Sequence, residues 1–206
     1  MKISVYIDGF NLYYGSLRNT PYRWLNISAL SNFLFPKHDI KKIKYFTAQL
    51  KVRGGDKNID KPVRQQIYWR ALRTLPEVEI IEGFFLVHPV LMKRVDGKGN
   101  ANVFKTEEKG TDVKLASHLL HDAHNGEFEM AVVISNDSDL AEPIRMVTQD
   151  LKLPVIVVSP FERNTLALAR VATSRKQIRK GILKISQFPD KLTDAVGVFK
   201  KPDTWA

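Results

Sequence analysis

Three short runs of this chain, Ile3–Ile7, Met130–Ile134 and Leu153–Val158, are apolar with little polar alternation. A strand wetted on one face alternates in polarity, whereas a strand covered on both faces need not. Between and around these runs the spacing turns helical. Val63, Ile67, Ala71, Leu72 and Leu75 recur at helical intervals behind Pro62 and stop at Pro76. Val113, Ala116, Leu119, Leu120 and Ala123 mark one apolar side behind Thr111. Proline suits a first helical turn and threonine suits a cap. Further helices are expected over Asn11–Leu17, Ser28–Phe35 and Leu140–Asp150, and further strands over Ile43–Leu50 and Val78–Ile81. Leu86–Val95 and Ala101–Lys105 read as a hairpin around Asp96-Gly97-Lys98-Gly99-Asn100, which is turn chemistry. The pattern predicts an α/β fold with a mainly parallel central sheet covered by helices on both faces.

At 206 residues the chain is long for one domain and short for two well-cored ones. No repeat, linker or low-complexity tract divides it, so one domain with a hairpin insertion at 86–105 is expected. With 44% hydrophobic and 26% charged residues, the balance is that of a globular protein rather than a disordered one. The absence of cysteine excludes disulfides, thiolate zinc sites and cysteine nucleophiles. No apolar run approaches the ~18 residues of a membrane span. Asp8 stands where a signal peptide needs its apolar core, so a cytoplasmic location without a membrane partner is expected.

Thirty-two Lys and Arg against 22 Asp and Glu give a net charge of +10, and its distribution is uneven. Residues 37–73 hold eleven basic and three acidic side chains, and residues 163–184 hold seven basic and none acidic. Residues 107–150 hold ten acidic and three basic. Two basic flanks around an acidic centre suit a protein that grips a polyanion and holds a divalent cation between the grips. Each run taken alone reads equally well as a solvated helix face.

The acids fall where such a fold would gather them. Ligands of open α/β sheets bind beyond the carboxyl ends of the strands. Asp8 follows the first apolar run directly, Asp137 and Asp139 follow the run ending at Ile134, and Asp112 opens the helix behind Glu107-Glu108-Lys109-Gly110-Thr111. Asp139 with Glu142 also fits a helix cap with its capping-box partner, and Asp112 fits a helix dipole. Asp8, closing an apolar strand, has no evident packing use. Carboxylates crowded together cannot all stay ionised without a cation, and oxygen ligands without His or Cys suit Mg²⁺ or Mn²⁺ rather than zinc.

These residues carry a resemblance. Tyr6-Ile7-Asp8-Gly9-Phe10-Asn11-Leu12-Tyr13-Tyr14-Gly15, Lys109-Gly110-Thr111-Asp112-Val113 and Ile134-Ser135-Asn136-Asp137-Ser138-Asp139-Leu140 resemble, in order and spacing, the motifs of the NYN-domain family. That family comprises LabA-like members of the PIN-like metal-dependent nucleases. Lys184-Ile185-Ser186-Gln187-Phe188-Pro189 is similar to the tail of such domains. Leu140 departs from the pattern, since many members carry Phe there.

The resemblance implies a three-layer PIN-like domain over residues 1–190, with 191–206 as a C-terminal tail. It implies that Asp8, Asp112, Asp137 and Asp139 are the catalytic acids and hold Mg²⁺ or Mn²⁺, with Asn11 one turn after Asp8 and Ser135 between strand and metal. The activity implied is phosphodiester hydrolysis, with RNA as the expected substrate and DNA as the alternative. A rival reading is a non-catalytic RNA-binding regulator on the same fold, and self-association as a homodimer stays open. Lys109 could hold the scissile phosphate or be an ordinary loop lysine. Arg64, Arg70, Arg73, Arg175, Lys176, Arg179 and Lys180 are candidates for backbone contacts, whereas Arg53-Gly54-Gly55 is a single instance and no RGG tract. Tyr13 and Tyr14 could stack a base or belong to the core. His118, His121 and His124 recur every third residue and drift around their helix, so they read as a solvated face rather than a metal face.

Overall fold

The structure, a computed structural model, describes residues 1–52, 58–163 and 165–205. The Arg53-Gly54-Gly55 stretch lies outside the described residues. In chain order the elements are β1 (Lys2–Asp8), α1 (Gly9–Leu12) running into a π-helical turn at Tyr13–Leu17, α2 (Ile27–Leu34), β2 (Asp39–Ala48) and α3 (Lys61–Leu72). Then come β3 (Val78–Lys93), β4 (Asn100–Lys109), α4 (Thr111–His124), β5 (Met130–Ile134), α5 (Ala141–Arg145) and β6 (Val155–Ser159). The last are α6 (Leu166–Val171), β7 (Ser174–Gln177), α7 (Lys180–Ile185), β8 (Lys191–Asp194) and β9 (Gly197–Lys200). Seven strands form one sheet in the order β4-β3-β2-β1-β5-β6-β7, parallel throughout except for β4. Among the described residues no helix is long and apolar enough to cross a membrane.

The period of two along each strand divides the core between two faces. From β1 and β2, Ile3, Val5, Ile7, Ile43 and Tyr45 face one layer, which holds Leu30 and Leu34 of α2, Trp69 and Leu72 of α3, and Leu183 of α7. Tyr6, Phe46, Val133 and Val157 face the other, with Leu115 and Leu119 of α4, Ile144 of α5 and Leu168 of α6. This is the expected three-layer α/β/α arrangement. The helix behind Pro62 buries Tyr68, Trp69, Ala71 and Leu72, while Val63, read as part of its apolar side, is 58% exposed. Proline fixed that helix start, but burial follows the face that meets the sheet.

Two expectations about outlying segments change in detail. The expected hairpin is present and reaches further at both ends: β3 runs unbroken through 16 residues, paired with β2 up to Gly83 and with β4 from Phe84 onward. At the crossover a Cβ on Gly83 would sit 2.7 Å from Glu108 Oε1 and 2.8 Å from the Lys109 carbonyl. Glycine is what lets the arm and the start of α4 approach so closely. Residues 191–205 fold back rather than trail. Arg70 holds Asp194 with two bonds of 2.7 Å, and Trp205 is buried against Trp24 and Tyr68. Asp194 and Trp205 supply the ion pair and the aromatic area that dock this segment.

Candidate active site

Asp8 ends β1, the central strand, and is 4% exposed. Its Oδ1 accepts the Asn11 backbone N–H at 2.9 Å and caps α1, and its Oδ2 accepts the Ser135 hydroxyl at 3.1 Å. The acid therefore has a structural task that the sequence did not disclose. Ser135 Oγ also accepts the Asp137 N–H at 3.1 Å, so one small hydroxyl ties the acid of the first strand to the loop after β5. Asp137 Oδ1 in turn accepts the Asp139 N–H at 3.0 Å and caps the 3-10 turn at Ser138–Leu140. The capping role expected of Asp139 thus belongs to Asp137, and Glu142 pairs with Arg145 instead. Asp139 is exposed.

Asp112 enters from a third segment, in the first turn of α4. The cap there is Gly110, in the left-handed region at φ 93°, rather than Thr111. Glu108 accepts the Thr111 N–H at 3.1 Å and its hydroxyl at 2.6 Å. Glu108 is thus spent on helix capping. Burial first, and then the charges of Asp8, Asp137, Glu108 and Asp139, raise the Asp112 carboxyl to about 6. Burial also raises Asp8, against the bonds from Asn11 and Ser135 and with a further push from Asp137. The four aspartates share one edge and repel one another across it.

They do not close on it. Among the described residues no group of three or more His, Asp or Glu side chains stands ready to hold a metal ion. Three of the aspartate oxygens accept hydrogen bonds, from Asn11, Ser135 and Asp139.

An electrostatic consequence is measurable without catalysis. The folded Asp112 pKa lies above its unfolded value near 4, so the folded state binds the extra proton between about pH 4 and 6. Stability of the protein in EDTA should rise as pH falls through that window. Asp112→Asn should stabilise the chain at pH 7 by on the order of 1 kcal/mol, after discounting for solvent screening. Denaturant melts at pH 7 and pH 5 check both, and a destabilised Asp112→Asn protein would show that the carboxylate is held by attraction.

The other expected site residues separate into those at the edge and those elsewhere. Asn11 is at the edge, where its Oδ1 accepts the Asn136 N–H at 3.0 Å. Lys109 ends β4 exposed, paired with Glu107 at 3.0 Å. Bonds from Lys105 and Lys109 hold the Glu107 carboxyl down at about 2. Arg175 and Lys176 lie on β7, the far edge strand, and Arg179 and Lys180 follow at the start of α7. Lys176 is committed, donating to the Leu34 carbonyl at 2.6 Å over the Phe35 ring. Arg70 is likewise held by Asp194, above the Phe199 ring at 4.2 Å. Arg64 bonds Asn58, and Arg73 lies over Trp69.

Asn136 was not singled out in the sequence, yet it braces the loop. Its side chain donates to the Arg163 carbonyl at 3.0 Å and accepts the Thr165 N–H at 2.8 Å, while its backbone N–H bonds Asn11. The only available signal was an amide between the strand end and the acid pair. The histidine reading also changes. His118 is half-buried, its Nδ1 3.0 Å from the buried Lys44 Nζ, while His121 and His124 are exposed as expected.

A mostly parallel sheet between two helical layers, with acids gathered past its two central strands, defines the PIN-like class. The model of the NYN domain matches residues 2–176, and the chain belongs to that family, whose members are generally hydrolytic nucleases. A curated relative, the 6-hydroxy-3-succinoylpyridine 3-monooxygenase of Pseudomonas putida (strain DSM 28022 / S16), is 30% identical. The match covers all of this chain and 75% of the relative. A solved protein of unknown function from Vibrio parahaemolyticus RIMD 2210633 has the same fold. It superposes with a TM-score of 0.56 at 16% identity, over 87% of this chain and 93% of that one.

Proposed function

We propose that this chain is a metal-dependent nuclease acting on RNA, with Asp8, Asp112, Asp137 and Asp139 holding Mg²⁺ or Mn²⁺. The observation that carries the reading is the mutual repulsion at the edge: three separate segments bring in carboxylates, and Asp112 is raised to about 6 partly by the other three. A chain of net charge +10 has no electrostatic need for such a cluster, and a cation relieves it. The donors are all oxygens, which suits a hard ion. Mg²⁺ keeps several waters and needs only one or two carboxylates with substrate phosphate, so an edge that is not yet closed still fits it. When bound, such an ion acidifies water and offsets charge on the phosphoryl oxygens.

The protein's own work is positioning. Ser135 fixes Asp8 relative to Asp137, and Asn11 with Asn136 holds the loop that carries the acid pair. Asp139, exposed, faces solvent, from which a nucleophilic water would come. The name of the 30% identical relative refers to a different chemistry, and the acidic edge offers no support for it here. RNA rather than DNA rests on the family, because phosphate contacts carry no sugar identity.

The test is incubation of the purified protein with labelled single-stranded and structured RNA, with Mn²⁺, with Mg²⁺ and with EDTA. Cleavage should need the ion. Tight RNA binding without cleavage in any ion would favour the non-catalytic regulator instead.

Affinity should come mainly from the basic flank. Lys176 is bonded to Leu34, which leaves Arg175, Arg179 and Lys180 as exposed cations of that cluster. Neutralising all three should flatten the salt dependence of RNA binding by roughly 2 in log–log slope, about 0.7 for each phosphate no longer neutralised. An unchanged slope would place this flank away from the RNA.

A further inference from the structure

Directly beside Asp8 lies a cavity that the acid chemistry leaves unused. It encloses about 280 Å³, at the small end for ligand pockets, and its walls are rich in aromatic side chains. Tyr13 and Tyr14 come from the π-helical turn after α1, Tyr45 from β2, Tyr68 and Trp69 from α3, and Trp205 from the returning C-terminal segment. Gly9, the residue after Asp8, forms part of the lining, so the cavity and the acidic edge share a wall.

We propose that this cavity receives one unpaired base of a single-stranded nucleic acid; the placement of that strand's backbone along the aspartates rests on the nuclease reading above. Three observations carry the proposal. The first is the shape of the walls. Every base has a π-face, and aromatic side chains that stack on it bind without regard to sequence. Tyr13 and Tyr14 are 37% and 57% exposed, so the aromatic surface reaches the mouth of the cavity rather than being sealed in the core.

The second is Tyr45. It is only 7% exposed, and its side chain lines the cavity. Its neighbour Tyr68, equally buried, donates to the Leu25 carbonyl at 2.9 Å. The Tyr45 ring and hydroxyl lie against Gly9, where an added Cβ would be 2.7 Å from Cζ and 2.8 Å from Oη. A base edge, rich in acceptors and donors, would bond this hydroxyl next to the acid. The third is charge: Lys61 and Arg64 line the cavity as well, which suits the phosphates on either side of an inserted base.

The experiment measures binding in EDTA, so that no cleavage is required. A short single-stranded RNA carries 2-aminopurine at each position in turn, and a matched set carries an abasic site there. One position should be strongly quenched by the aromatic walls, and the abasic site at that position should weaken binding about tenfold. Tyr14→Ala should cost a similar factor with intact RNA and nothing further with the abasic RNA. Tyr45→Phe, which keeps the ring and removes one hydroxyl, should weaken only the intact RNA.

Equal losses on both RNAs, or no position-specific quench, would overturn the base pocket. If the same protein still cleaved RNA with Mn²⁺, the nuclease reading would survive that failure. Position-specific quenching by a protein that never cleaves would support the pocket and sink the nuclease reading alone. Displacement of the quenched base by a free hydroxypyridine at lower concentration than by a free nucleoside would assign the cavity to a small ring compound and overturn the proposal.

Discussion

Asp8→Asn should abolish metal-dependent RNA cleavage while leaving the protein folded. Asparagine keeps a side-chain oxygen at the position that accepts the Asn11 N–H, so the cap of α1 survives the change. The change removes one buried negative charge from the edge, and with it a carboxylate that the sheet's central strand alone can contribute. If an ion held there supplies several kcal/mol of transition-state stabilisation, the loss is about three orders of magnitude in rate or more. Asp8→Ala should do the same to activity and also fray the first turn, costing about 1 kcal/mol of stability. Rates measured with and without Mn²⁺, beside a denaturant melt of each variant, separate the two effects. Cleavage by Asp8→Asn at the parent rate would remove the aspartates from the mechanism.

The largest effect on stability should come from the opposite face of the sheet. Lys44 of β2 and Asp122 of α4 form an ion pair at 2.6 Å, with their side chains 5% and 7% exposed. The Tyr6 hydroxyl donates to the same carboxylate oxygen at 2.7 Å. Burial raises the Tyr6 phenol, and its bond to Asp122 raises it further, so it remains a donor throughout the physiological range. Burial and then the Lys44 charge lower His118, which keeps its ring an acceptor for the ammonium. Asp122→Ala would strand a buried ammonium and should cost about 3–5 kcal/mol. The double change Lys44→Met with Asp122→Leu should recover most of that, because the pair's own desolvation is relieved together with its attraction. A single-mutant cost under about 1 kcal/mol would mean that water reaches Lys44.

This network shows where sequence reading reached its limit. Ile43-Lys44-Tyr45-Phe46 reads as a strand, but nothing local says that its lysine points inward to meet an acid 78 residues later. Helical periodicity placed His118 on α4 correctly; only the packing of α4 over β1 and β2 turns it toward Lys44. By contrast, β1, β5 and β6 were legible because strands buried on both faces have no polar alternation to hide them. The acids at their ends were legible for the same reason, since a carboxylate that closes such a run lies at the sheet edge. The caps were less so: Asp137 and Glu108 do the work assigned to Asp139 and Thr111, because a cap depends on backbone angles that residue type only biases. Of the aromatic cavity only Tyr13 and Tyr14 were legible, as candidate stacking residues. Its walls come from residues 13, 45, 69 and 205, and no local pattern joins them.

The position of β1 in the sheet also bears on how the protein comes to be folded. β1 is the first of the seven sheet strands to be made, yet one of its two neighbours is β5, and the bond from Ser135 to Asp8 spans 127 residues. During synthesis an emerging chain carries Asp8 on an apolar strand whose second edge stays open until residue 134 has been made. Closing so long a loop is slow, and an open apolar edge is prone to aggregate. A nascent chain or a fragment that ends just before Met130 therefore holds Asp8 and Asp112 without Ser135 or the Asp137–Asp139 pair. The edge arises together with the folded core.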